Sequence, residues 1–155
     1  LRLAGRTGHR FTLFYLDLDD LKRINDTFGH AEGDLAIVRV GEVLRRTFRQ
    51  SDVVARFGGD EFVVLALDTS NDEGATIRRR LTANLAQENE SGSGFYQLGV
   101  SVGTISLDGR LEEPLGALLA RADRALYAEK RARGRVHRPE ETPTAGPARR
   151  FAVVR

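Results

Sequence analysis

The sequence predicts an α+β fold: a ferredoxin-like βαββαβ sheet with helices packed around it. Three observations carry this prediction. Phe11-Thr12-Leu13-Phe14-Tyr15-Leu16-Asp17 is a nearly unbroken apolar run ending in an acid, which suits a central strand buried on both faces. Two valine-rich runs, Val53-Val54-Ala55 and Phe62-Val63-Val64-Leu65, flank a turn holding Gly58, Gly59, Asp60 and Glu61, the pattern of a β-hairpin. Between and after these runs, apolar residues recur at helical spacing. The resulting order contains βαββαβ, an arrangement expected to lay its helices on one face of the sheet.

Taken in order, residues 1–10 read as the end of a basic helix or a linker. After the first strand, Asp19 or Asp20 is placed to cap a short helix through Phe28 that Gly29 stops. Its stripe is Leu21, Ile24 and Phe28, with Lys22 and Asn25 together beside it. A second helix is expected from about Glu32 to Gln50 on the stripe Ile37, Val40, Leu44 and Phe48. The hairpin strands fall near 52–57 and 61–67, and the paired glycines are expected to supply positive φ without steric cost. Asn71 or Asp72 opens a polar helix to about Glu90, followed by the break Ser91-Gly92-Ser93-Gly94. Leu98, Val100, Val102, Ile105 and Leu107 mark a strand over Tyr96 to Leu107, and a last helix spans about Glu113 to Arg133. Val136 opens a short final strand.

From His137 to Pro147 the composition shifts to Pro, Thr, Glu and Gly, as in a linker or disordered tail. The apolar run Phe151-Ala152-Val153-Val154 is suited to docking at a place the sequence leaves open. The expected organisation is a leading segment 1–10, a catalytic domain 11–136 and a tail 137–155.

The 155 residues, 41% hydrophobic and 30% charged, suit one domain with one core. No apolar run approaches the ~20 residues that span a bilayer, and no signal peptide is visible. Absence of cysteine excludes disulfides and thiolate metal sites and is compatible with a cytoplasmic location. A net charge of +2 gives no support for a nucleic-acid partner. With no methionine, Leu1 is not a translation start, and the chain reads as an excised domain.

The chemistry sits at strand ends. Asp60 and Glu61 rise from apolar strands at a tight tip, where they read either as a solvated acidic turn or as a hard-cation site. Asp17 reads either as an ordinary strand-end aspartate or as their partner. If the two strands are neighbours, Asp17 and Asp60 converge and repel, and a divalent cation relieves the repulsion. Oxygen ligands without sulfur favour Mg²⁺ or Mn²⁺ over zinc. Phosphoryl transfer uses such ions.

These residues resemble the GGDEF family, the diguanylate cyclases, whose signature is present letter for letter as Gly58-Gly59-Asp60-Glu61-Phe62. Asp17-Leu18-Asp19-Asp20-Leu21-Lys22-Arg23-Ile24-Asn25-Asp26 is similar to the family's D-x-D-x-F-K-x-I-N-D segment. Gly29-His30-Ala31-Glu32-Gly33-Asp34-Leu35 is similar to its G-H-x-x-G-D segment, and Ser101-Val102-Gly103 to its S-x-G strand. Ala122-Asp123-Arg124-Ala125-Leu126-Tyr127-Ala128-Glu129-Lys130 resembles its A-D-x-A-L-Y-x-A-K helix. The match covers about residues 11–136. The fold it implies is nucleotide-cyclase-like, a ferredoxin-like arrangement also used by polymerase palms.

The resemblance implies that Asp17, the carbonyl of Leu18 and Asp60 ligate metal, and that Glu61 takes the proton of an attacking 3′-hydroxyl or helps hold a second ion. It implies that Lys22 and Lys130 neutralise phosphate, that Gly58 and Gly59 admit substrate to the backbone, that Asn25 and Asp34 read the guanine edge, and that His30 sits near the nucleoside. Arg49-Gln50-Ser51-Asp52 matches the family's inhibitory R-x-x-D at its offset before Gly58. Arg49 and Asp52 are thereby implied to bind the cyclic product, with one of Arg78, Arg79 or Arg80 adding a contact. The implied reaction joins two GTP into cyclic di-GMP in a homodimer under an upstream sensor domain. The alternative is a non-catalytic domain that binds cyclic di-GMP or GTP. The chain departs from the family at Leu21, where an aromatic is usual, in the segments expected before the first strand, and after Lys130. The last departure leaves open whether Arg133 or Arg135 reaches the phosphates.

Overall fold

The computed structural model describes residues 10–70, 72–92, 95–108, 113–134 and the main chain of 152–153. The element order is β1 (Phe11–Leu18), α1 (Leu21–Phe28), α2 (His30–Thr47), β2 (Val53–Arg56), β3 (Glu61–Leu67), α3 (Glu73–Ser91), β4 (Val100–Leu107), α4 (Leu115–Ala132) and β5 (Ala152–Val153). The strands form one antiparallel sheet in the order β4-β1-β3-β2-β5. Its first four strands follow the ferredoxin-like order, with β1 between β4 and β3.

Every residue of β1 except Asp17 is buried, as its unbroken apolar run requires. Alternation divides it between two cores. Phe14, Leu16 and Leu18 pack with α1, α2 and α3, whereas Phe11, Leu13 and Tyr15 pack with α4. The expectation of helices on one face is therefore corrected. A strand with large residues on both sides needs cover on both, and α4 supplies the second cover.

α4 lies directly on β4 at Gly103. A Cβ there would stand 2.1 Å from the carbonyl oxygen of Ala122 and 2.4 Å from the nitrogen of Leu126. The outer edge of β4 is closed by side chains at its middle. Arg78 of α3 donates to the carbonyl of Val102 at 2.8 Å, and Glu129 of α4 accepts from the Val102 N–H at 3.0 Å. The two side chains pair with each other as well. A guanidinium–carboxylate pair thus takes the place of a neighbouring strand at that position.

Several boundaries differ from expectation, each for a local reason. Asp20 is the N-cap residue of α1 through its main chain, its carbonyl accepting from the Ile24 N–H at 3.0 Å, but neither aspartate side chain caps the helix. Asp20 has φ 60° and makes no side-chain cap bond, and Asp19 instead accepts from the buried Ser101 hydroxyl at 2.6 Å. Gly29 does end α1, with φ 90° and its N–H on the Asn25 carbonyl at 2.9 Å. α3 opens at Glu73, whose Oε2 accepts from the Ser70 N–H at 3.1 Å. β4 begins at Val100 because Tyr96 is drawn away, packing on Phe28 and donating to Glu32 Oε1 at 3.0 Å.

The apolar run near the end of the sequence supplies β5, which pairs Val153 with Ala55 and Ala152 with Arg56. The expected strand at Val136, the linker over 137–147 and residues 1–9 lie outside the described residues.

Candidate active site

Antiparallel pairing sets the end of β1 beside the start of β3. Asp17 is the register partner of Glu61, and the Leu18 N–H donates to the Asp60 carbonyl at 3.0 Å. Leu18 buries its side chain, so only its main chain faces this chemistry. Three carboxylates, Asp17, Asp60 and Glu61, gather at one end of the sheet. Lys130, from the last turn of α4, reaches the same end and donates to Asp17 Oδ1 at 2.7 Å.

Burial pushes the Asp17 carboxyl up to about 6. The Lys130 hydrogen bond and charge oppose the rise, and the charges of Asp60 and Glu61 reinforce it. Three carboxylates against one ammonium leave an excess of negative charge, which suits a bound cation. Among the described residues no three His, Asp or Glu side chains form a cage for an ion by themselves. A hard cation here would take two carboxylates, a main-chain carbonyl and oxygens of a phosphorylated substrate, the usual way Mg²⁺ is held.

The turn from Phe57 to Asp60 is fixed by Arg56. Its Nε donates to the Gly58 carbonyl at 3.1 Å and its Nη2 to the Gly59 carbonyl at 2.7 Å. Phe57 and Gly58 direct their N–H groups to the Glu61 carbonyl at 2.8 and 3.3 Å. Neither Gly58 nor Gly59 has φ in the left-handed region, so the expectation of positive φ is corrected. Gly58 supplies space instead. A Cβ on Gly58 would stand 2.4 Å from Glu61 Oε2, and one on Gly59 would meet nothing within 4 Å. Gly59 is bare, open backbone beside the carboxylates. The other oxygen of Glu61, Oε1, accepts from the Tyr15 hydroxyl at 3.0 Å.

α1 and α2 close one flank. A Cβ on Gly33 would stand 1.8 Å from Asn25 Oδ1, so Gly33 admits the Asn25 side chain between the helices. This brings Asn25 to within one residue of Asp34 along α2. Asp34 and His30 are exposed, as is Lys22 on α1. Because α2 begins at His30, Asp34 lies in its second turn.

Arg49 and Asp52 lie at the opposite end of β2 from the turn. Asp52 Oδ2 accepts from the Arg49 N–H at 2.8 Å and its Oδ1 from the Leu67 N–H at 3.0 Å, which ties the start of β2 to the end of β3. The Arg49 guanidinium pairs with Glu73 at the start of α3. Arg78 is committed to Glu129 and Val102, and Arg133 pairs with Glu129 at 3.2 Å. Arg135 lies outside the described residues.

Sequence reasoning assigned no role to Tyr15, Arg56, Ser101 or Glu129. Tyr15 carried a usable signal, since it precedes Asp17 by two and so shares its face. The partners of Ser101 and Glu129 depend on the packing of α4 and the β1–α1 turn. A separate cleft of about 350 Å³ lies between α3 and the outer edge of β4, lined by Leu81, Leu85, Leu98 and Val100 among others. Of the motif residues and candidate arginines singled out from the sequence it touches Asp19, Arg78, Val102 and Arg133. Its Arg78 and Asn89 are engaged within the fold.

Comparison with known proteins places the sequence and the fold. The family profile described as "Diguanylate cyclase, GGDEF domain" matches residues 1–135. The chain is 37% identical over 130 residues to diguanylate cyclase DgcP of Escherichia coli, covering 83% of this chain and 38% of that protein. It is 41% identical over 128 residues to diguanylate cyclase DgcP of Pseudomonas aeruginosa, covering 82% of this chain and 19% of that protein. The chain thus spans well under half the length of these curated relatives. Among solved structures it is similar to the GGDEF domain of DgcB from Caulobacter crescentus in complex with c-di-GMP, with TM-score 0.70, 29% identity, and 80% and 74% of the two chains covered. An EAL/GGDEF domain protein from M. capsulatus gives TM-score 0.71 at 32% identity, covering 84% of each chain. A sheet with carboxylates gathered at the β1–β3 end, matched in sequence and in fold, identifies the chain as a member of the GGDEF family, the diguanylate cyclase domains.

Proposed function

We propose that this chain condenses two GTP into cyclic di-GMP and releases two pyrophosphates. One observation carries the reading: Asp17, Asp60 and Glu61 meet across the β1–β3 ladder beside the open backbone of Gly59. Asp17, the Leu18 carbonyl and Asp60 would hold Mg²⁺ or Mn²⁺, which when bound neutralises triphosphate charge. Glu61 takes the proton of a GTP 3′-hydroxyl as its oxygen bonds to the α-phosphorus of the other GTP. The bond from that phosphorus to the bridging oxygen breaks, and pyrophosphate leaves with the electron pair. Lys22 and Lys130 face the phosphates, Lys130 by leaving Asp17. Asn25 and Asp34 read the guanine edge, with His30 close to the nucleoside. A carboxylate accepting from guanine N1–H and N2–H₂ disfavours adenine.

Among the described residues one chain offers one such carboxylate cluster and one proposed guanine site, whereas the product has two-fold symmetry. Two copies facing each other complete the reaction. Purified protein with GTP and Mg²⁺ is therefore expected to form cyclic di-GMP at a rate rising faster than the first power of protein concentration. Chromatography of the product over a dilution series checks this, and strictly linear scaling through the dimerisation range sinks the dimer. A non-catalytic receptor predicts the opposite pattern in the same assay: product bound tightly, and no turnover.

Product inhibition is proposed at Arg49 and Asp52. The Arg49–Glu73 pair means that a product phosphate must displace a carboxylate already in place. Arg49→Ala is expected to raise the inhibitory product concentration at least about ten-fold, the loss of a charge-assisted contact. Inhibition curves for the two proteins decide this. The chain spans a minor part of its curated relatives, so an upstream sensor domain belongs to the proposal. No helix among the described residues is long and apolar enough to cross a membrane. A reaction that consumes GTP places the domain in the cytoplasm.

A further inference from the structure

Glu61 is held by a residue outside the family signature. Tyr15 is buried in β1, two residues before Asp17 and on the same face of the sheet. Its register partner is Val63, so Glu61 is its diagonal neighbour across the ladder. The Tyr15 hydroxyl donates to Glu61 Oε1 at 3.0 Å. With Oε1 anchored inward, Oε2 projects over Gly58, where a Cβ would come within 2.4 Å of it. The ring of Tyr15 also meets Phe57 edge-on, with centroids 5.8 Å apart. Phe57 opens the turn, so one side chain braces both the carboxylate and the loop that carries it.

We propose that Tyr15 is a positioning residue for the reaction: its hydroxyl fixes the Glu61 carboxylate so that Oε2 is the oxygen presented to the 3′-hydroxyl. The proposal rests on the reading of Glu61 as the proton acceptor. A carboxylate free to rotate about its last two torsions spends only part of its time aimed at the substrate. A phenol donor removes that freedom without neutralising the charge. Binding of GTP uses other groups, so loss of the hydroxyl lowers turnover and leaves substrate affinity alone.

The test compares the wild-type chain with Tyr15→Phe and Glu61→Gln, using GTP and Mg²⁺. Tyr15→Phe keeps the ring against Phe57 and removes only the hydroxyl. The expected result is a kcat lower by about ten-fold, from loss of a hydrogen bond to a charged group. KM for GTP stays within about two-fold, and the thermal midpoint falls by no more than about 10 °C, the cost of one lost hydrogen bond. A Tyr15→Phe kcat equal to wild type, beside an inactive Glu61→Gln, overturns the role of Tyr15 and leaves that of Glu61 standing. An active Glu61→Gln overturns both. If Tyr15→Phe lowers the thermal midpoint beyond that limit and damages kcat and KM together, Tyr15 is a packing residue and the proposal fails.

Discussion

Gly103→Ala is expected to destabilise the fold by roughly 4 kcal/mol, a large part of the stability of a domain this size. The added methyl would lie 2.1 Å from the Ala122 carbonyl oxygen, 2.4 Å from the Leu126 nitrogen and 2.9 Å from its Cα. All three are backbone atoms in the middle of α4, so no side chain can turn aside to make room. The helix must lift as a unit, and lifting it uncovers Leu118, Ala122 and Leu126 together. It also pulls Lys130 from Asp17 and Glu129 from the β4 edge. Urea unfolding followed by circular dichroism measures the loss. Gly59→Ala is the control, because nothing lies within 4 Å of its added methyl and its stability should stay within about 0.5 kcal/mol of wild type. A Gly103→Ala protein as stable as wild type would show that α4 does not seat on β4 as described.

Glu61→Gln is expected to lower the rate of cyclic di-GMP formation by about 10²–10⁴-fold, the range for loss of a general base. It should leave the fold as stable as before, or more stable. The amide can still accept from Tyr15 and occupies the same volume. What disappears is a negative charge that, with burial and Asp60, pushes the Asp17 carboxyl up to about 6. Relieving that repulsion favours the folded state while removing the proton acceptor. Activity falling while the thermal midpoint holds or rises is the mark of a residue kept for chemistry at a cost in stability. Initial rates and thermal melts on the same preparations give both numbers. Activity within ten-fold of wild type would remove Glu61 from the reaction.

Much of this was legible in the chain, and the part that was not has a physical reason. The buried strand ending in Asp17, the hairpin and the Gly29 stop are local patterns of hydrophobicity and turn chemistry, and the fold contains all of them. The meeting of Asp17 with the hairpin carboxylates followed from the expected strand order. The face covered by α4 did not follow, because a strand apolar on both sides does not say which helix covers which side. At Gly58 space, not dihedral freedom, is the requirement, and only the three-dimensional placement of Glu61 shows what a Cβ would strike. The bonds of Tyr15 to Glu61 and of Ser101 to Asp19 join residues 46 and 82 apart in sequence. No local pattern encodes contacts at such range.

One border of the sheet is blunted at a single rung. On one side the Val102 main chain is saturated by a guanidinium and a carboxylate, and on the other Ala55 and Arg56 are paired with β5. At Val102 an incoming strand would find both main-chain groups already taken, so extending the sheet past β4 there would have to break an ion pair. Blocking that rung makes the β4 edge a poorer template for edge-to-edge aggregation.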